Sequence, residues 1–224
     1  NRKLKVFLSS NDQNKILLFG YPKSGNTWLR FLLFNYISLL QDENISDTIT
    51  YDKLNCLQNN VMDRATTFAN SSGFPLFYRT HKIYKKPYNL FDFKIFIHRN
   101  PLDTLVSAYY FYRDREVPFP NDPKNRRSDL HNIDFYVRCK LEDWMKFYFI
   151  SIQKADYVIN YTLLKKDCFY ELKSLITALE WDVNTELIKK SVEISDFSKI
   201  KEMSIKSSQQ YGNAPKDGSF KGVF

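Results

Sequence analysis

Cysteine and histidine are scarce in this chain of 224 residues, which contains three of each. Cys56, Cys139 and Cys168 are odd in number and show no C-x-x-C spacing, so neither a disulfide framework nor a zinc site is indicated. Cysteines outside disulfides are typical of a reducing compartment, and we therefore expect a cytoplasmic location.

Long hydrophobic runs are also missing. The longest, over residues 31–40, is interrupted by Asn35 and Ser38 and falls well short of the roughly 20 apolar residues that a membrane helix needs. No membrane association is therefore expected. The chain has no internal repeat or low-complexity tract, and its 43% hydrophobic content suits one core, which predicts a single domain over residues 1–224.

Acidic residues are outnumbered, with 25 Asp and Glu against 33 Lys and Arg and a net charge of +8. This charge suits an anionic ligand such as a nucleotide, and by itself it would suit a nucleic acid equally well. The densest basic cluster, at residues 124–127, lies in a stretch rich in Pro, Asn and Asp that is typical of a solvated loop. We therefore expect no nucleic-acid partner.

Short apolar runs alternate with helical patterns along the chain, which is typical of an α/β fold. The runs lack polar alternation, as expected for strands covered on both faces. Strands are predicted over residues 16–19, 76–78, 93–97 and 157–159, and helices over 27–40, 101–112, 134–154, 167–179 and 184–194. Asn100 and Asp134 are predicted as helix N-caps, and residues 41–73 and 113–132 as loops or small insertions.

Residues 20–28, between the first predicted strand and the following helix, form a glycine-containing loop that suits an anion. Loop N–H groups and the helix dipole would together hold a phosphate or sulfate. The spacing from Gly20 to Gly25 matches the loop of nucleoside triphosphatases, but Asn26 stands where they have lysine, and the lysine is Lys23 instead. The strand over residues 93–97 ends in His98 rather than in an acidic Mg²⁺ ligand. The pattern predicts an anion site without a metal.

Arg99 and His81 each follow a predicted strand, at the edge where ligands of open α/β sheets bind. Arg99 ends one strand, and Ser107 lies about two helical turns further on, so together they could hold a second phosphate. His81 follows another strand, and its ordinary pKa of about 6.5 suits proton abstraction at neutral pH. His81 is therefore the candidate general base among the histidines.

Three segments make the chain similar to the PAPS-dependent sulfotransferases of the cytosolic and small bacterial type, where PAPS is 3′-phosphoadenosine 5′-phosphosulfate. Residues 21–28, Tyr-Pro-Lys-Ser-Gly-Asn-Thr-Trp, resemble the family's 5′-phosphosulfate loop. Residues 99–107 resemble its Arg-Asn-x-x-Asp-x-x-x-Ser pattern, and Arg79-Thr80-His81 resembles its Lys-Thr-His segment. The resemblance implies a three-layer P-loop α/β fold with a central, mainly parallel sheet flanked by helices.

The resemblance also implies roles for single residues. Lys23 and His81 would be catalytic, with Lys23 at the sulfuryl group and its bridging oxygen. PAPS would be bound by Lys23, Ser24, Gly25, Asn26, Thr27, Trp28, Arg99, Ser107, Tyr161, Lys221 and Gly222. Within that set the loop cradles the 5′-phosphate, Trp28 and Tyr161 contact adenine, and the remaining residues hold the 3′-phosphate. Phe220 stands where the family has arginine, and the chain stops at Phe224, before the end of the family pattern.

These features together predict transfer of a sulfuryl group from PAPS to a hydroxyl or amine of a small-molecule acceptor, with 3′-phosphoadenosine 5′-phosphate (PAP) as product. A P-loop nucleotide-dependent kinase would want a lysine after Gly25 and an acidic Mg²⁺ ligand. A non-catalytic nucleotide-binding module would keep the loop and gain nothing from His81. The composition of residues 41–73 and 113–132 does not select an acceptor, and the sequence predicts no oligomeric state.

Overall fold

A computed structural model describes residues 15–42, 44, 46–60, 76–82, 87–113 and 131–210. Within these ranges, five strands form one sheet in the order β2-β3-β1-β4-β5, and every pair of neighbours is parallel. The strands are β1 (Lys15–Phe19), β2 (Gln58–Asn60), β3 (Leu76–Thr80), β4 (Phe93–His98) and β5 (Tyr157–Asn160).

Helices follow the strands in the manner of a doubly wound sheet. They are α1 (Asn26–Gln41), α2 (Tyr51–Cys56), α3 (Pro101–Arg113), α4 (Ile133–Ile152), α5 (Tyr161–Lys166), α6 (Cys168–Ala178), α7 (Thr185–Ile194) and α8 (Phe197–Gln210), with a short 3-10 helix over Pro87–Leu90. No helix in the described ranges is long and apolar enough to cross a membrane.

The sheet separates two hydrophobic clusters because successive side chains of a strand point to opposite faces. On β1, Ile16 and Leu18 join the larger cluster with α1, α6 and α7, while Leu17 and Phe19 join the smaller one, which includes Phe147 of α4. Helices therefore cover both faces, and the predicted three-layer α/β architecture is confirmed.

The predicted strands are all present, and each predicted helix forms within two residues of its expected ends. Asn100 caps α3 by accepting from the N–H groups of Leu102 and Asp103, as expected. At α4 the expectation was wrong, because the N-cap is Asn132, which accepts from the N–H of Asp134 at 2.8 Å. Asp134 instead lies in the first turn, where its negative charge interacts favourably with the helix dipole.

Residues 41–73, predicted as loops or small insertions, contain two short regular elements in their described portion. The described portion contains α2, capped by Thr50, and the edge strand β2. Their sequence is polar because α2 is short and β2 pairs on one side alone, so neither carries the apolar pattern of a buried element. The predicted loop over residues 113–132 lies largely outside the described residues.

Because neighbouring strands are parallel, the carboxyl ends of all five described strands lie at one edge of the sheet. The loop after β1 lies in the middle of this carboxyl edge, with the end of β3 on one side and the ends of β4 and β5 on the other. We call these the β3 side and the β5 side. His81 belongs to the β3 side, while Arg99 and Tyr161 belong to the β5 side.

Candidate active site

The loop between β1 and α1 leaves hydrogen-bonding groups available for an anion. Gly25, the N-cap of α1, has a φ of 100° and supplies no side-chain cap. The Ser24 hydroxyl is buried and has no hydrogen-bonding partner within the described part of the chain. Uncapped N–H groups and a buried hydroxyl at the positive end of a helix suit a phosphate oxygen.

Close packing requires glycine at both ends of this loop. A Cβ on Gly25 would lie 2.4 Å from Cδ2 of Tyr161, and a Cβ on Gly20 would lie 2.5 Å from the carbonyl oxygen of Ile97. Asn26 braces the loop, because its side-chain amide donates to the Tyr21 carbonyl at 3.3 Å. Asn26 therefore supports the loop conformation at the position where triphosphatases carry lysine.

Lys23 projects from the loop toward α3. Its backbone φ is 72°, a left-handed conformation that non-glycine residues adopt only when the surrounding structure requires it. Its Nζ lies 4.4 Å from the centroid of the Phe111 ring, within the range of a cation–π contact. Phe111 lies one helical turn beyond Ser107 on α3, so the same helix face carries both residues.

On the β5 side, Arg99 and Tyr161 lie next to each other. The Arg99 guanidinium lies 4.9 Å from the Tyr161 ring centroid, and its Nε is 3.8 Å from Oδ2 of Asp103. Burial raises the pKa of the Tyr161 hydroxyl, partly offset by the nearby Arg99 charge. Ser107 is partly exposed on α3, two turns beyond the strand end.

Trp28, at the end of the loop motif, is buried between α1 and the β5 side. Its residue is 6% exposed, its indole N–H donates to the Ser195 carbonyl at 2.9 Å, and its ring packs edge-on against Tyr161 and Phe197. The adenine contacts of Trp28 and Tyr161 stay predictions. Lys221 and Gly222 lie outside the described residues.

On the β3 side, His81 is tied directly to the phosphate loop. Its Nδ1 lies 2.8 Å from the Gly20 carbonyl oxygen. A carbonyl can only accept, so Nδ1 carries the hydrogen and the neutral ring keeps its lone pair on Nε2. The pKa of His81 is lowered to about 4, first by desolvation and then by the charges of Arg79, Arg30 and Lys23. The residue is nonetheless exposed to solvent, so a reactant can approach the ring.

His98 is less suited to proton transfer than His81. Its ring packs 5.8 Å from the Phe96 centroid and 5.2 Å from that of Tyr148, between two aromatic neighbours. Burial lowers its pKa as well. His98 therefore extends an aromatic wall on the α4 face of the sheet.

Sequence reasoning missed two residues of this region, Phe111 and Arg30. Phe111 could have been found from its spacing of four residues from Ser107. Arg30 could have been found because it interrupts an otherwise apolar helix that was predicted to be buried. A charged residue in such a helix must lie inside the protein, where charged side chains are rare unless they are paired.

The sulfotransferase domain family matches this chain over residues 13–221. The flavonol 3-sulfotransferase of Flaveria bidentis is 24% identical, over 94% of this chain and 77% of that protein. The WSCD family member CG9164 of Drosophila melanogaster is also 24% identical, but this chain spans 52% of its length.

Solved structures agree on the fold. Mouse sulfotransferase SULT7A1 in complex with PAP superposes with a TM-score of 0.56 at 24% identity, over 88% of this chain and 69% of that one. Retinol dehydratase in complex with androsterone and PAP superposes with a TM-score of 0.62 at 14% identity, over 95% of this chain and 74% of that one. Because the family match extends over nearly the whole sequence, this chain belongs to the sulfotransferase family.

Proposed function

We propose that this sulfotransferase domain transfers the sulfuryl group of PAPS to a hydroxyl or amine of a small-molecule acceptor. The observation that carries the proposal is the hydrogen bond from His81 Nδ1 to the Gly20 carbonyl. It joins the candidate base to the first residue of the phosphate loop and leaves Nε2 as a proton acceptor. A nucleotide-binding module without catalysis would have no use for that arrangement.

The described residues fit the donor. Ser24, with its buried unpartnered hydroxyl, and the uncapped start of α1 would hold the 5′-phosphate. Arg99 and Ser107 on the β5 side would hold the 3′-phosphate, as predicted. Among the described residues no cluster of His, Cys, Asp and Glu could hold a metal. Bound PAPS would supply an activated sulfuryl group on a good leaving group.

The residues around the loop would then perform acid–base and electrostatic work. His81 Nε2 would take the proton of the acceptor as the acceptor attacks sulfur. Lys23 would neutralise the negative charge that develops on the leaving bisphosphate. By analogy with other preorganised donors, such a contact contributes a factor of about 10²–10³ to turnover.

A small acceptor is supported by two observations. The flavonol sulfotransferases among the relatives are named for small aromatic alcohols, and androsterone is bound in one structural neighbour. In this chain, Tyr21 packs edge-on to Phe147 at 5.5 Å beside the phosphate loop, which gives the α4 face an aromatic character suited to organic molecules.

A single domain, a cytoplasmic location and the absence of nucleic-acid partners stay predictions.

The test is a screen of hydroxyl and amine acceptors with PAPS carrying labelled sulfur, in the presence of a metal chelator. We expect transfer of label to at least one acceptor class by the wild type, and loss of about 10²-fold or more in turnover for His81→Asn, with PAP affinity kept. Near-normal turnover of His81→Asn at a saturating acceptor concentration would overturn the assignment of the base.

The kinase alternative is tested in the same experiment. A kinase would bind ATP with Mg²⁺ more tightly than PAP and would lose activity in the chelator. We expect instead that calorimetry shows tight, metal-independent binding of PAP and much weaker binding of AMP, which lacks the 3′-phosphate. Equal affinity for PAP and AMP would refute the roles of Arg99 and Ser107.

A further inference from the structure

Arg30 is a buried cation with no acidic partner among the described residues. The residue is 3% exposed, and both of its hydrogen bonds use Nη2, to the Leu54 carbonyl at 3.3 Å and to Oδ1 of Asn55 at 3.1 Å. Its Nε is buried with no hydrogen-bonding partner, and no ion pair joins Arg30 to the described residues. Buried charges are ordinarily paired, because removing a lone charge from water is costly.

The packing of α1 on the sheet explains why Arg30 lies here. Phe34 of α1 packs on Phe77 of β3, with ring centroids 4.8 Å apart. One turn earlier on the helix is Arg30, and two residues later on the strand is Arg79, on the same strand face as Phe77. A helical turn and a two-residue strand step have similar lengths, about 5.4 and 6.6 Å. Arg30 is therefore brought toward Arg79 at the carboxyl edge.

The two arginines act on the catalytic base as well as on each other. The charge of Arg79 lowers the pKa of Arg30 further below its usual value, after the larger effect of desolvation. Arg79 and Arg30 both lower the pKa of His81. Positive charge thus converges on the β3 side beside His81, and no carboxylate of the described residues contributes to the pKa shift of either Arg30 or His81.

Arg30 faces away from the groups that would hold the donor. Trp28 points from the first turn of α1 toward Tyr161 on the β5 side. Arg30 comes two residues later and is rotated by about 200° around the helix, toward α2 and β3. The donor phosphates would lie in the loop and on the β5 side, so Arg30 lies on the opposite side of α1 from them.

We propose that Arg30 and Arg79 form an acceptor subsite for an oxyanion, namely a carboxylate, sulfate or phosphate carried by the molecule whose hydroxyl or amine reaches His81. This inference rests on the proposed function, because it names the acceptor class of the same site. Arginine suits the role, since its planar donors match the oxygens of these anions. The bound anion would supply the countercharge that the described residues do not give Arg30.

The test compares acceptors in matched pairs, each offered as the free acid and as its neutral methyl ester, at saturating PAPS. For carboxylates, the pairs are hydroxyaryl acids and uronic acids with their methyl esters. For phosphate and sulfate, each sugar phosphate or sugar sulfate is instead compared with the unmodified sugar. We expect wild-type kcat/KM to be at least tenfold higher for the charged member, mainly through KM. Arg30→Met should remove most of this ratio, and Arg138→Met, at an exposed position of α4, should leave it unchanged.

A second measurement does not depend on turnover. Thermal unfolding of the PAPS-saturated protein is followed with inorganic sulfate and with chloride at equal ionic strength. We expect sulfate to raise the melting temperature of the wild type and of Arg138→Met by several degrees more than that of Arg30→Met. PAPS saturation fills the sulfuryl position at Lys23, so the added sulfate reports on the arginine subsite.

The possible outcomes separate the two proposals. If no acceptor is turned over, the proposed function fails, and the sulfate-dependent melting still decides whether Arg30 binds an anion. If acceptors are turned over but acids and esters are equivalent, or Arg30→Met keeps the acid preference, the anionic subsite is refuted. Should Arg30→Met fail to fold, Arg79→Met and the charge-keeping Arg30→Lys take its place. We expect Arg79→Met to lose the preference for acids over esters and Arg30→Lys to keep most of it.

Discussion

The two sides of the phosphate loop carry positive charge in different ways. On the β5 side, Arg99 has Asp103 at 3.8 Å and the face of Tyr161 at 4.9 Å. On the β3 side, Arg30 has a carbonyl and an amide oxygen as partners but no carboxylate from the part of the chain that the structure describes. The first charge is partly balanced by the protein itself, and the second is left to a ligand.

This difference separates binding from selection. A balanced, partly exposed charge can hold a donor that is common to the whole family and release it after each turnover. An unbalanced, buried charge discriminates more strongly between charged and neutral ligands. A neutral ligand beside it does not offset the free-energy cost of removing that charge from water. We therefore expect the β5 side to set affinity for the donor and the β3 side to set the choice of acceptor. Lys23 lies between them.

The largest expected effect is at Lys23, where the two sides meet. Lys23→Ala should lower kcat by about 10²–10³, because its charge counts most as the leaving group becomes negative. The dissociation constant of PAP should change much less. Lys154→Ala is the control, since that lysine also lies over an aromatic ring, 5.3 Å from the Tyr88 centroid, but away from the loop. A loss confined to PAP affinity would make Lys23 an anchor.

Arg99 tests the β5 side alone. Arg99→Ala should weaken PAP binding by about 10- to 100-fold, the range expected for charge-assisted hydrogen bonds to a phosphate. AMP binding should change little, so the preference for PAP over AMP falls. The acid-to-ester preference of the acceptor should stay as in the wild type. A change in acceptor preference would break the division between the two sides.

Local patterns were enough to predict the β5 side and the phosphate loop. The order of strand, glycine loop and helix places Gly25 and Ser24, and Arg99 follows a strand whose apolar run is easily seen. The residue roles assigned through the resemblance, including those of Lys23 and His81, stay predictions. What the structure adds to them is the hydrogen bond from His81 to Gly20, which depends on the pairing of β1 with β3.

The β3 side was harder to predict from sequence. The strand β2 carries Gln58, Asn59 and Asn60, which have neither apolar alternation nor high strand propensity, and α2 is too short to show a helical period. Arg30 interrupts an apolar helix, so its burial could be predicted. The lack of an acidic partner within the described ranges could not be predicted, because it depends on which helix and strand pack together.

Gly25 tests how tightly the β5 side is joined to the loop. Gly25→Ala should lower the free energy of unfolding by about 2–4 kcal/mol, from overpacking against Tyr161 and from the left-handed backbone. PAP affinity should fall with it. In a Tyr161→Ala background the same substitution should cost less, because the ring that the new methyl group meets is absent. Equal costs in both backgrounds would show that Tyr161 can move aside.

The pH dependence of turnover reports on the β3 side. With the pKa of His81 lowered to about 4, kcat/KM for PAPS, which reports the free enzyme, should stay flat as pH falls from 8 through the ordinary value of about 6.5. It should decline only as pH approaches the lowered pKa, where Nε2 becomes protonated. Bound PAPS adds negative charge, which raises the pKa of His81. As pH falls, kcat/KM for the acceptor at saturating PAPS should therefore begin to decline at a higher pH than kcat/KM for PAPS does.

Substitutions on the two sides should move this acid limb differently. Arg30→Met should shift it to higher pH, because one of the charges that lower the pKa of His81 is removed. Arg99→Ala should leave it in place, since Arg99 is not among the charges acting on His81. An equal shift in both variants would indicate a long-range effect of net charge and remove the distinction between the sides.

The smallest expected effect is at Phe111, whose ring holds Lys23 in this structure. A cation–π contact contributes about 0.5–2 kcal/mol, and the ammonium must leave or share it when the leaving group becomes negative. Phe111→Leu keeps an apolar side chain but removes the ring face that positions Lys23, so kcat should fall by a factor of about 2–5 while PAP affinity stays constant. Phe111→Tyr should behave as the wild type, because the ring is kept. If Phe111→Leu and Phe111→Tyr lowered kcat equally, the contact with Lys23 would have no part in turnover, and Phe111 would serve only as packing between α3 and the phosphate loop.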